Sequence, residues 1–138
     1  MRLVLLTLVA AIAALSAGAQ AAAPSRAMLA GSELRRDYVN GSWHRYEVLH
    51  LKADGTFSGN YENATPVTQG NFYRLTGAVG GRWTLEGDVL CLTGTGLEYP
   101  GRNCYQLTKG GYSAREYAGT HTGNGDVWRF FVYPRAGP

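Results

Sequence analysis

The chain has 138 residues and a formal net charge of +3, from 13 Lys and Arg against 10 Asp and Glu. That length holds one domain and is too short for two comfortable cores. The basic residues are scattered singly rather than clustered, which argues against a nucleic-acid or anionic-membrane partner.

The N-terminus reads as an export leader. Arg2 supplies one positive charge, and Leu3 to Ala17 run without a charge, rich in Leu, Val and Ala. Small-residue sites follow at Ala17-Gly18-Ala19, Ala19-Gln20-Ala21 and Ala21-Ala22-Ala23. This is the order of a secretory signal peptide. A membrane-spanning helix needs about 20 apolar residues, and this run is shorter and ends in Gly18 and Gln20. Residues 1–23 are therefore expected to be removed, after Ala19, Ala21 or Ala23. Residues 24–138 form the single working domain, in the periplasm or secreted. No Cys lies near the cleavage region, which excludes a lipid anchor there. No second apolar stretch is long enough to span a bilayer, so no stable membrane insertion is expected after cleavage.

Ala22 to Ala30 reads as a short Ala-rich leader. Ser32 to Val39 then reads as one short helix, with Ser32 as N-cap, Glu33 in the first turn and Asn40-Gly41 as a left-handed stop. Beyond it, short runs rich in aromatic and β-branched residues alternate with Gly-containing breaks. They predict strands near 42–52, 56–62, 67–74, 80–86, 88–93, 103–109, 112–118 and 126–133. Asp54-Gly55, Gly87-Asp88, Gly110-Gly111 and Asn124-Gly125 supply tight turns, since Gly accepts φ > 0 without a Cβ penalty. Eight short strands with regular turns favour an all-β fold, a closed barrel or a sandwich. Closure removes the free edges and 19 Gly suit tight coiling, so a small antiparallel barrel of about eight strands is expected.

The only cysteines are Cys91 and Cys104. In an oxidising compartment such a pair is expected to form a disulfide, and two thiols fall short of a structural zinc set. If Cys91 faces Cys104 across antiparallel strands, Leu90 faces Tyr105 and Leu92 faces Asn103. Leu90, Leu92, Tyr105 and Leu107 then share the core face, with the disulfide on the other.

Two resemblances follow from these segments. Trp83-Thr84-Leu85-Glu86-Gly87-Asp88-Val89-Leu90-Cys91-Leu92, with Asn103-Cys104-Tyr105, resembles small secreted Gram-negative proteins of unknown function that carry a W-x-x-x-G-x-x-L-C…C hairpin. The resemblance implies an exported β domain and no activity. Gly41-Ser42-Trp43 after a short helix also resembles the opening of lipocalin-like (calycin) barrels, which close about eight antiparallel strands around one pocket. That likeness implies a basic residue packed over Trp43 at the barrel base, a role Arg129 or Arg135 fills by position. Gly81-Arg82-Trp83 is a second match to the same short pattern.

No enzyme signature stands out. His44 and His50 share a strand face but lie roughly 20 Å apart at strand rise, too far to hold one metal. Serines lack a nucleophile-elbow context. Glu86 and Asp88 flank a turn, and Glu98 lies in the longest loop, where acidic residues are ordinary. No metal or cofactor is implied. Nine Tyr, three Trp and four Phe are more than one small core can hide, which points to a binding surface. The loop Gly94 to Arg102 presents Leu97, Tyr99 and Arg102 as its candidate residues. The expected function is a non-enzymatic exported binding module. Its ligand is either a small apolar molecule inside the barrel or an envelope or extracellular protein held at the rim loops. Inward-facing Gly59 and Gly70 would open a cavity for the former. The rival readings are a minimal carboxylate-based hydrolase, which paired carboxylates would serve, and a structural envelope protein.

Overall fold

The structure, a computed structural model, describes residues 23–111 and 113–135. The expected leader lies outside them but for Ala23. The described chain is an eight-stranded antiparallel barrel in which each strand pairs with the next and the last returns to the first. In chain order the elements are a one-turn helix α1 (Arg26–Leu29) and strands β1 (Glu33–Asn40), β2 (Trp43–Leu51), β3 (Thr56–Thr68) and β4 (Asn71–Glu86). Strands β5 (Val89–Thr95), β6 (Arg102–Lys109), β7 (Glu116–His121) and β8 (Val127–Tyr133) complete it. Pairing of β8 with β1, from Glu33 opposite Tyr133 to Asp37 opposite Arg129, closes the sheet and leaves no free edge there.

The helix expected over Ser32–Val39 is a correction: Glu33 to Asn40 is strand β1. The segment obeys period two. Leu34 and Arg36 point inward and are fully buried, while Arg35 and Val39 face out. Asn40-Gly41 ends no helix. It is the turn of the β1–β2 hairpin, with Gly41 at φ 61°. The helix that does form is the single turn ahead of it, where the Ser25 hydroxyl caps the Met28 N–H at 3.2 Å.

The run expected at 67–74 straddles the β3–β4 turn, and its second half joins the run expected at 80–86 in one strand, β4, of 16 residues. Its glycines are not breaks: Gly77 leaves room for the Tyr61 ring, and at Gly81 a neighbouring backbone crowds in. A Cβ at Gly81 would stand 2.0 Å from the Thr93 carbonyl oxygen, and one at Gly59 on β3 would stand 1.9 Å from that of Val48. Only glycine lets the sheet coil this tightly into a barrel. Gly59 therefore opens no interior cavity, and Gly70 sits at the tip of the β3–β4 hairpin.

The disulfide hairpin matches its expected register residue for residue. Cys91 faces Cys104, Leu90 faces Tyr105 and Leu92 faces Asn103. Leu90, Leu92, Tyr105 and Leu107 are buried together, and Cys91 and Cys104 are bonded on the opposite face.

The interior divides into two halves. The lower half is apolar, built from residues such as Leu34, Leu49, Phe57, Trp83 and Val132. The N-terminal segment stoppers it. Leu29 is fully buried, the Gly31 N–H donates to the Leu51 carbonyl at 2.7 Å, and the Arg26 guanidinium lies 4.5 Å from the Trp83 ring centre. The upper half carries charge, and there the candidate site lies. No helix among the described residues is long and apolar enough to cross a membrane.

Candidate functional site at the barrel mouth

The site begins with three charged side chains that period-two alternation turns inward. Arg36 on β1 stands directly opposite Glu47 on β2, with Arg45 two residues before it on the same face. Arg36 and Glu47 are wholly buried, and Arg45 nearly so. Burying an ion costs several kcal/mol unless it is paired and hydrogen-bonded. Glu47 meets that requirement twice: Arg36 Nε donates to its Oε2, and Arg45 Nε donates to its Oε1 at 2.7 Å. Arg45 also reaches Asn63 on β3, donates to the Gly96 carbonyl and lies 3.6 Å from the Glu98 carboxylate.

Those last contacts bind the loop between β5 and β6 down onto the mouth. Asn103 Nδ2 donates to the carbonyls of Tyr99 and Gly101, at 2.9 and 3.2 Å. The Tyr99 hydroxyl donates to Asp126, and its ring packs on His121 with centres 4.9 Å apart. Leu97 packs against the core. Of the three residues expected to form a displayed binding loop, Leu97 and Tyr99 are therefore half-buried in the domain's own mouth, and Arg102 alone is exposed. Burial, reinforced by the bond to Asp126, pushes the Tyr99 phenol well above its ordinary range. Burial also raises Glu98 above the usual carboxylate range, with Arg45 opposing the shift and Glu47 adding to it.

The pairing expected of Trp43 with Arg129 is not made. Arg129 lies on the outer face, where its Nε donates to Asp37 at 2.7 Å, and Arg135 is exposed. Trp43 meets Tyr38 edge-on, with ring centres 5.9 Å apart. An arginine does cover a tryptophan inside the barrel, but the pair is Arg36 and Trp128, 4.4 Å from guanidinium carbon to ring centre. Arg36 falls within the segment expected as a helix, where an arginine every few residues is an ordinary solvated one. The signal available was the Asn-Gly turn, which folds Arg36 back onto Glu47.

Excess aromatic surface does appear, though away from the expected loop. Strands β3 and β4 outrun their neighbours and project past the mouth as an arm. Val67 is 61% exposed there, Phe72 54%, Tyr73 60% and Leu75 46%. Leu75 stands opposite Asn63 and Tyr73 opposite Thr65, so both share the face that carries Tyr61 into the barrel and overhang the mouth. On the outer face at the arm's root, Tyr46, Asn60, Glu62 and Thr76 line a groove of about 510 Å³.

The histidines remain apart from any ligand set. His44 and His50 share the outer face of β2, and among the described residues no three His, Cys, Asp or Glu side chains come together as a metal site. Glu47 and Glu98 do approach one another, but each is engaged by Arg45. No family model matches this chain, and neither a curated protein nor a solved structure is detectably similar to it.

Proposed function

We propose that this domain is an exported, non-enzymatic binding module that holds a protein partner on the β3–β4 arm and the adjoining rim of the mouth. One observation carries the reading: Val67, Phe72, Tyr73 and Leu75 stand roughly half or more exposed on one projecting hairpin. Apolar and aromatic surface exposed on both faces of one projecting hairpin marks interaction sites, because leaving it in water is unfavourable and aromatic anchors dominate interface energetics. Two features favour a partner at the rim over a small apolar ligand within. Trp83, Trp128, Tyr105 and Phe130 occupy the interior, and three buried charges line its upper half. A hydrolytic reading draws no support from Glu47, whose two oxygens are both taken up by arginines. The disulfide and the absence of a spanning helix among the described residues are compatible with an exported soluble protein.

The test places a photocrosslinking amino acid at Tyr73, and at Thr84 near the opposite pole as a control, in the protein expressed in its own cell envelope. The expected result is one dominant adduct from position 73, identified by mass, and none from position 84. Equal, diffuse labelling from both positions overturns the reading. An adduct of twice the chain's mass identifies the partner as a second copy.

A further inference from the structure

Beneath the mouth, five buried polar atoms of four side chains complete no hydrogen bond among the described residues: Arg36 Nη1 and Nη2, Tyr105 Oη, Trp128 Nε1 and His121 Nε2. Their positions are linked. The Arg36 guanidinium carbon lies 4.4 Å from the Trp128 ring centre and 5.0 Å from that of Tyr105. The Tyr105 and His121 ring centres are 5.2 Å apart. Their chemistry is one-sided. A guanidinium offers only donors, and an indole offers only its N–H. His121 Nδ1 accepts from the backbone N–H groups of Gly123 and Asn124, at 3.1 and 3.2 Å. In the neutral ring the proton is therefore assigned to Nε2, which becomes a donor as well. Against these donors, among the described residues, the same region supplies two unpartnered acceptors, Asn103 Oδ1 and the Tyr105 hydroxyl oxygen, which can take a bond from Arg36 while donating its own proton onward. Glu47 already accepts from Arg36 Nε and Arg45 Nε, and neither of its oxygens completes a bond to Arg36 Nη1 or Nη2.

A buried donor left without an acceptor is costly, and several in one place call for an acceptor that the chain does not provide. Neighbouring donors can share a single oxyanion when each N–H or O–H reaches an oxygen at about 2.7–2.9 Å. The planar fork of Arg36 matches a carboxylate best, giving two parallel bonds. We propose that Arg36, Trp128, Tyr105 and His121 form a binding site for a small carboxylate in the upper half of the barrel, under the loop between β5 and β6. The site is distinct from the arm, so loss of a protein partner leaves it in place. Entry runs through the mouth. The loop's bonds to Arg45, Asn103 and Asp126 are the contacts that must loosen to admit a ligand.

The indole resonances test this directly. The intact, disulfide-bonded protein is labelled with ¹⁵N and titrated with sodium acetate, and separately with inorganic phosphate, at constant ionic strength set by chloride. Trp83 is an internal control, since its indole N–H already donates to the Lys52 carbonyl at 2.8 Å. The expected result is a saturable shift of the Trp128 indole signal with acetate while the Trp83 signal stays fixed. Tyr105→Phe, which keeps the ring and deletes one donor, should weaken that binding about tenfold, the scale of one lost charge-assisted bond. A response to phosphate alone overturns the carboxylate assignment. Non-saturating shifts at all three indoles mean an adventitious ion only and overturn the site, as does a fixed Trp128 signal in both titrations. The wild-type titration decides the matter even if the variant fails to fold.

Discussion

Arg36 and Glu47 face each other across the first hairpin, and neither side chain reaches solvent. The pair sits where a barrel of this size ordinarily places two apolar residues, and each charge is tolerated only because the other is present. Glu47→Gln, leaving Arg36 buried without its counter-charge, should lower stability by about 3–5 kcal/mol. Arg36→Met combined with Glu47→Leu should cost far less than the sum of the two single changes. Denaturant unfolding of the four proteins in the cycle measures the coupling, and strict additivity would show that the two charges act independently.

The staple between β5 and β6 is placed to constrain the unfolded chain. Cys91 and Cys104 are 13 positions apart, a loop for which removal of the bond is worth roughly 3 kcal/mol in the chain-entropy picture. Replacing both cysteines with Ser should lower the free energy of unfolding by about that amount while preserving the far-ultraviolet spectrum. An unchanged denaturation midpoint would place the restraint elsewhere.

Tyr99 ties the mouth loop to the β7–β8 connection through Asp126, and its phenol is raised above the ordinary value by burial first and by that bond second. A tyrosine whose folded value exceeds its unfolded one adds stability that is fully present below about pH 10 and is lost as the pH climbs past it. Tyr99→Phe should therefore cost about 1–2 kcal/mol at neutral pH. It should also shrink the alkaline loss of stability, read as the fall in unfolding midpoint between neutral and strongly basic buffer. An identical alkaline profile in the variant would remove Tyr99 from that role.

Glu98 has the same sign and a lower window. Burial lifts its carboxyl against the opposing pull of Arg45. Its contribution is thus fully present below the ordinary carboxylate range, near pH 4, and is lost as the pH rises through the folded value. Glu98→Gln, which cannot ionise, should gain stability relative to wild type as the pH is raised from 4 to 7. Thermal unfolding across that range checks the direction, and parallel curves would contradict it.

Gly59 carries the tightest approach on β3, because any side chain there enters the space of the Val48 carbonyl. Gly59→Ala should destabilise by about 2–4 kcal/mol, since backbone rather than a flexible side chain must yield. The same change at Gly70, in open space at the arm's tip but at φ 77°, should cost no more than about 1–2 kcal/mol. Chemical denaturation of both variants ranks the two sites.

Local chemistry made much of this barrel legible. The register of Cys91 against Cys104 follows from alternation alone, because any one-residue slip would turn Leu90 and Leu92 to solvent. Turn residues placed the hairpins at Asp54-Gly55 and Gly87-Asp88 for equally local reasons. Strand β1 was illegible because an inward arginine looks like a solvated one until its partner is known, and Glu47 lies 11 residues on. Gly77 and Gly81 looked like interruptions because the close approach of the Tyr61 ring to one and of the Thr93 backbone to the other is a property of the assembled sheet. The mouth was hidden for a similar reason. Tyr99 meets Asp126 across 27 residues, so the loop's own sequence could not tell display from closure. The arm was missed because its length shows only against strands that stop sooner.

Strand β1 enters the barrel and β8 leaves it at the same pole, where Glu33 stands opposite Tyr133 and Pro134 and Arg135 border Gly31 and Ser32. The mouth and its arm occupy the other pole. A tether at either terminus, whether a linker to a neighbouring domain or a surface used for immobilisation, therefore grips the stoppered base. It aims the arm and the carboxylate entrance away from the support. The fold sets the handle at one end and the working face at the other, so orientation on a surface is decided by chain path before any contact is made.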